Sequence, residues 1–185
     1  MNHDLKSEEK FQGNLLLAVP SMKDPNFSRS VILVAAHSEE HGAFGYVMNR
    51  PLNQKVEELM SDEALGSLGQ VGVFLGGPVA TDKLAFASMH WDLATDDLVF
   101  RSHLSVQDAH HEMSMGHEVR GFVGYSGWTT GQLEKEVQGR SWILTQVPEL
   151  LLKHPQPDTL WRTVLQGMGP LFALMADTPE DVSLN

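Results

Sequence analysis

The residues best equipped for chemistry in this chain are histidines and carboxylates that fall close together. His103, His110, His111 and His117 gather in and around one stretch of helical periodicity. A helical metal pair needs two ligands one turn apart, at i and i+4, and no two of these histidines have that spacing. His103 and His110 would share a helix face but lie about 10 Å apart at 1.5 Å per residue, too far to grip one ion. Asp108, His111 and Glu112 could meet on the polar face and hold a divalent ion loosely. A solvated helix face accounts for the same letters, so neither a metal site nor a cofactor is expected. Nearer the start, His37 and His41 flank Glu39-Glu40, a set that could coordinate an ion or relay a proton. A polar turn explains that set equally well.

Nucleophilic chemistry fares worse. Gly124-Tyr-Ser-Gly-Trp128 resembles a nucleophile elbow, but that motif requires a small residue on both sides of its strained serine. Trp128 stands where the last glycine belongs, so Ser126 is not expected to attack anything. The chain has no cysteine, which excludes thiolate nucleophiles, thiolate zinc sites and disulfides. The same segment could bind an anion, because a strand, a glycine-bearing turn and a helix starting near Thr130 aim free N–H groups at one spot. Neither phosphate-loop fingerprint accompanies it.

A third group is polar residues and glycines at strand ends, where binding pockets tend to form. Arg29 and Ser30, Asn49 and Arg50 before Pro51, Gly76 and Gly77 before Pro78, and Gly127 and Trp128 are the candidate ligand-binding residues. Turn geometry explains each pair taken alone.

The elements that must position these residues are legible from periodicity. Strands are expected at Asn14–Val19, Val31–Ala36, Phe44–Met48, Val71–Leu75, Leu84–Met89, Leu98–Arg101, Arg120–Tyr125 and Ser141–Thr145. Val31–Ala36 has no polar alternation and should lie inside the sheet with both faces covered. Helices are expected at Val56–Met60, at Val106–Met115 behind a Ser105 cap, and after Thr129. Thr129 and Gln132 have capping-box spacing, and Trp128 and Leu133 fit a hydrophobic staple. A short helix at Glu149–Lys153 precedes breaks at Pro155 and Pro157. Asp158 can cap a last helix, which Gly167, Gly169 and Pro170 separate from Leu171–Ala176. Strands and helices interleave without a regular βαβ rhythm, which favours an α+β fold with a mixed sheet.

Composition narrows the function classes. With 42% hydrophobic and 20% charged residues the 185-residue chain is an ordinary globular sequence, long enough for one core and best read as one domain over 1–185, residues 1–10 flexible. The net charge of −11 repels phosphate backbones, and no basic cluster offsets it, so direct nucleic-acid binding is disfavoured. The first ten residues lack the apolar centre of a secretory signal, and the longest apolar runs are six residues. A cytoplasmic location, no membrane association and a monomer are therefore the default expectations.

Laid end to end, these segments resemble one family. Gly13-Asn-Leu-Leu-Leu-Ala-Val-Pro20, Asp24-Pro-Asn-Phe-Ser-Arg-Ser-Val31, Gly45-Tyr-Val-Met-Asn-Arg-Pro51, Gly76-Gly-Pro-Val79, Gly124-Tyr-Ser-Gly-Trp128 and Gly131-Gln-Leu-Glu134 follow in the order of the bacterial AlgH/YqgE family. The ending Asp181-Val-Ser-Leu-Asn185 is similar too. The resemblance implies an α+β fold with a mixed, branched sheet curled into a pseudo-barrel with flanking helices. It also implies uncharacterised function, with a regulatory role proposed in alginate synthesis and described as transcriptional regulation. It brings no established catalytic residue. Two departures stand out: Thr129-Thr130 replaces the usual Gly-Pro, and Ser126 the usual Ala. The reading that follows is a non-enzymatic regulatory protein acting through a small-molecule or protein partner. Its alternatives are an enzyme or ligand-binding protein with a polar pocket at strand ends and, less favoured, a DNA-binding regulator.

Overall fold

The computed structural model describes residues 11–153 and 156–177. The expectations for residues 1–10, for the break at Pro155 and for the ending 181–185 lie outside the described residues. Among these residues nine strands form one mixed sheet: β1 Leu15–Ala18, β2 Val31–Ser38, β3 Gly42–Val47, β4 Pro51–Lys55, β5 Gly72–Leu75, β6 Val79–Asp92, β7 Asp97–Leu104, β8 Glu118–Trp128 and β9 Trp142–Thr145. Six helices among the described residues flank it: α1 Val56–Leu59, α2 Val106–Ser114, α3 Gln132–Gln138, α4 Leu150–Lys153, α5 Pro157–Gly167 and α6 Pro170–Ala176, with a 3-10 stretch at Glu63–Gln70. No helix among the described residues is long and apolar enough to cross a membrane.

The strand order β4-β5-β8-β3-β2-β1-β9 is broken by a branch at β8, from which β6 and then β7 extend. β8 pairs in parallel with β5 and antiparallel with β6 over its first part, then antiparallel with β3 over Ser126–Trp128. The sheet so formed curls into a half-barrel, in accord with the α+β, pseudo-barrel expectation.

The apolar run of β2 finds its reason in this curl. Val31 and Leu33 join Leu15 and Leu17 in a cluster closed by Trp161, Val164 and Leu165 of α5. Ile32 and Val34 point the other way, into a cluster with Leu16, Trp128, Leu133 and Trp142. Successive side chains of a strand face opposite sides, so a strand covered on both faces must be apolar throughout. A third cluster, Val56, Leu68, Val73, Phe86 and Ala109, lies under α1, the 3-10 stretch and α2.

Three local expectations are corrected. Gly131, not Thr129, immediately precedes α3, and the Thr129 hydroxyl donates to Gln132 Oε1 instead of accepting from the backbone. Gln132 does reach back to the Thr129 N–H at 3.0 Å, so half of the capping box forms. Asp158 lies inside the first turn of α5, where it complements the helix dipole, because Pro157 takes the first position and Gln156 the cap. β4 is absent from the expected strands because Pro51-Leu-Asn-Gln-Lys is an outer, largely exposed strand at the end of the sheet.

Candidate functional site

The β2–β3 hairpin has two ends, and the sequence places chemically able residues at both. At the open end, Asn49 spans the chain: its Oδ1 accepts from the Val31 N–H at 2.9 Å and its Nδ2 donates to the Arg29 carbonyl at 2.9 Å. Arg50 donates to the Pro25 carbonyl at 3.0 Å and the Ser28 carbonyl at 2.8 Å, which fixes the loop before β2. Burial lowers the Arg50 pKa from its usual value, and nearby Asp24 partly restores it. The Arg29 guanidinium lies 5.4 Å from the Trp161 ring centre, a cation–π contact. Ser30 is wholly buried, and its hydroxyl has no hydrogen-bond partner among the described residues.

Gly76 and Gly77 sit where β5 leaves β8. A side chain on Gly77, at φ 152°, would begin 2.3 Å from the Tyr125 carbonyl carbon, so only glycine lets the two backbones pass. The Gly76 carbonyl accepts from the Val47 N–H at 2.9 Å and from the Ser126 hydroxyl at 3.1 Å. Ser126 is therefore buried and engaged, in keeping with its exclusion as a nucleophile.

At the turn end, a cleft of about 760 Å³ opens between the hairpin, the end of β7 and the end of β8. Its volume falls within the roughly 300–1,000 Å³ of small-molecule sites. Of the eight candidate residues, Gly127 and Trp128 line it; the other six do not. Phe44, Tyr125 and His103 supply its aromatic walls, with Phe44–His103 edge-on at 5.6 Å and Phe44–Tyr125 edge-on at 6.1 Å. His103 is exposed and held at φ 56°, a left-handed conformation that costs an ordinary residue energy. Trp128 is buried, and its indole N–H donates to Glu136 Oε2 at 2.9 Å, the oxygen that Trp142 also uses at 2.8 Å.

His37 and His41 line the cleft as well; His41 stands 3.9 Å from Glu40 on the surface, but His37 does not join them. His37 instead meets Glu134 of α3, Nε2 to Oε1 at 2.6 Å, and packs against Phe11. Burial pushes the Glu134 carboxyl up, yet its backbone hydrogen bond and the bond and charge of His37 leave it below the ordinary range. The expected anion site at α3 is not built: the Gln132 N–H is taken by the Thr129 carbonyl, and Glu134 fills the first turn.

The remaining histidines disperse. His103 belongs to β7 and not to the helix, which corrects its placement beside His110. His110 reaches the Ala64 carbonyl at 3.2 Å. Asp108 accepts from the Ser105 hydroxyl on the surface, while Glu112 turns inward, so Asp108, His111 and Glu112 do not meet. Glu112 is bound by Ser88 at 3.0 Å, by His117 at 2.7 Å and by Arg101. The His117 bond does most to hold the Glu112 carboxyl below its ordinary range, against burial and with help from Ser88 and Arg101. Phe44, Tyr125 and His90 were beyond sequence reasoning, since each gains its neighbours only through strand pairing.

A branched mixed sheet curled into a half-barrel with flanking helices defines an α+β fold. The chain belongs to the AlgH-like family (DUF179), whose model matches residues 15–173. A UPF0301 protein of Streptomyces coelicolor is 34% identical, the match covering 94% of each chain. One of Cytophaga hutchinsonii is 31% identical over 94% of this chain and 98% of its own. The solution structure of AlgH from Pseudomonas aeruginosa is similar with a TM-score of 0.61 at 25% identity, covering 97% of this chain and 99% of that one. A Corynebacterium diphtheriae crystal structure shares the fold, with a TM-score of 0.70 at 22% identity over 90% of this chain and 92% of that one.

Proposed function

We propose that this chain is a non-enzymatic regulatory protein of the cytoplasm that binds a small molecule in the turn-end cleft and signals through a protein partner. The observation that carries the reading is the wall of Phe44, Tyr125 and His103 around a cleft of about 760 Å³. Aromatic faces reward a planar, largely apolar body, and the exposed His103 imidazole offers one hydrogen bond to a polar edge. The serine that a nucleophile would require, Ser126, is buried and donates its hydroxyl to the Gly76 carbonyl. A regulatory role fits the AlgH-like family, and the net charge of −11 favours a ligand or protein over duplex DNA as the effector.

The test is a thermal-shift screen with planar aromatic acids, nucleobases and nucleosides. A ligand at 100 times its Kd stabilises by about 2.7 kcal/mol, roughly 5–10 °C for this size. The shift should vanish in His103→Ala while the melting temperature of the free variant stays put. A shift that survives His103→Ala, or none across the panel, removes the cleft from the proposal.

A further inference from the structure

We propose that His90, Glu112 and His117 form a binding site for a first-row divalent cation of the Zn²⁺ type. One ligand atom from each lies within 4.8 Å of the others, on three different elements: β6, α2 and the segment leading into β8. The site is independent of the cleft and of any ligand bound there.

The arrangement follows from how α2 ends. Gly116, at φ 80°, takes the left-handed position just past the helix. Its N–H bonds to the Met113 carbonyl at 3.0 Å, and the His117 N–H bonds to the Glu112 carbonyl at 3.1 Å. Those two bonds constitute a Schellman motif. The motif folds His117 back over the last turn, so a residue five positions from Glu112 meets its carboxylate at 2.7 Å. Strand β6 then delivers His90, whose ring stacks on His117 with centres 3.8 Å apart and planes 14° from parallel.

Three features separate this cluster from a chance gathering of polar residues. The Glu112 side chain is only 5% exposed, yet both its oxygens are hydrogen-bonded. Its other oxygen is held by Arg101, and Ser88 donates to the oxygen that faces His117. Metal-binding carboxylates and histidines are usually oriented by such outer hydrogen bonds. Both histidines are half-buried, so an ion has a way in. Two imidazoles and one carboxylate suit Zn²⁺ and its first-row neighbours, whereas Mg²⁺ and Ca²⁺ prefer oxygen donors throughout. Ligand atoms around a tetrahedral Zn²⁺ stand about 3.3 Å apart, given bonds of about 2.0–2.1 Å. Modest rotation of the two rings closes the difference. On binding, the ion takes the place of the proton between His117 and Glu112, and its fourth position stays open to water.

The full chain, stripped with a chelator, is titrated with Zn²⁺ by calorimetry and with Co²⁺ by visible absorption. One equivalent should bind, with Co²⁺ bands strong enough for a four-coordinate site. His90→Ala and His117→Ala should each weaken binding at least about tenfold, while His111→Ala, at an exposed position of α2, leaves it unchanged. Circular dichroism identifies the variants that remain folded, and His90→Ala keeps the test open if changes at Glu112 or His117 unfold the chain. Absence of stoichiometric binding, or binding that is unchanged in folded His90→Ala, overturns the site.

Discussion

At the open end of the β2–β3 hairpin, Asn49 and Arg50 spend their polar atoms on the backbone of Val31, Arg29, Pro25 and Ser28. At the turn end, His103 holds only the neighbouring Ser102 hydroxyl, at 3.3 Å, and lines a cleft together with His41. Both ends carry polar residues beside strand termini, and by residue type alone the open end is the better binding site. What separates them is where each side chain's hydrogen bonds go. A buried or half-buried polar group must find a partner. At the open end the partners are the chain's own backbone; at the turn end His103 keeps one ring nitrogen for the cleft. Partner accounting, and not residue type, distinguishes a structural polar pair from a binding one.

This contrast can be broken by mutation. The largest effect belongs to Gly77→Ala, near the Gly76–Val47 bond of the open end. The new Cβ would meet the Tyr125 carbonyl carbon at 2.3 Å, which should cost about 4 kcal/mol or more and leave little soluble, cooperatively melting protein. A near-normal melting temperature would mean that the branch can shift to admit a side chain. Next comes Asn49→Ala, which leaves the Val31 N–H and the Arg29 carbonyl without Asn49. A loss of about 2 kcal/mol is expected by chemical denaturation, with ligand binding in the cleft unchanged. Intact stability with lost binding would invert the assignment of the two ends. The smallest effect is that of Glu134→Gln, at the turn end, because its side chain is one-third exposed; a loss below about 1 kcal/mol is expected at neutral pH. Glu134 titrates below its ordinary value in the folded chain. Its stabilisation is therefore complete above the unfolded pKa of about 4.3 and fades as pH falls through the lower folded value. The wild-type and Glu134→Gln melting temperatures should converge below about pH 4. A gap that widens there instead would remove the His37 contact as its source.

Much of the scaffold was legible. The uniform apolar letters of Val31–Ala36 announced a strand covered on both faces, which holds for Val31–Val34 while Ala35 and Ala36 are half-buried, and the Ser105 cap placed α2 correctly. β4 was not legible, because an outer strand needs no apolar face to mark it. The 3-10 stretch at Glu63–Gln70 was hidden by Gly66 and Gly69, which read as loop. For the cleft, Gly127, Trp128, His37 and His41 were visible as candidates. The convergence of Phe44, Tyr125 and His103 was not, because it depends on β3, β8 and β7 meeting across long stretches of chain. The Glu112–His117 contact had one signal in the sequence: a glycine at position 116 between a helical run and a histidine, the spacing that a Schellman turn folds back on itself.

The branch at β8 has a consequence in time. Residues 43–45, 73–75 and 79–89 all complete their pairing with residues 118–128, so three strands leave the ribosome before the one that joins them. Until Trp128 has emerged, their edges stand open, and the loops to be closed are long. A sheet assembled from such distant pairings folds slowly for its size. During synthesis this chain passes through an interval in which its most aggregation-prone edges have no native partner, and that interval is set by the position of one strand in the sequence.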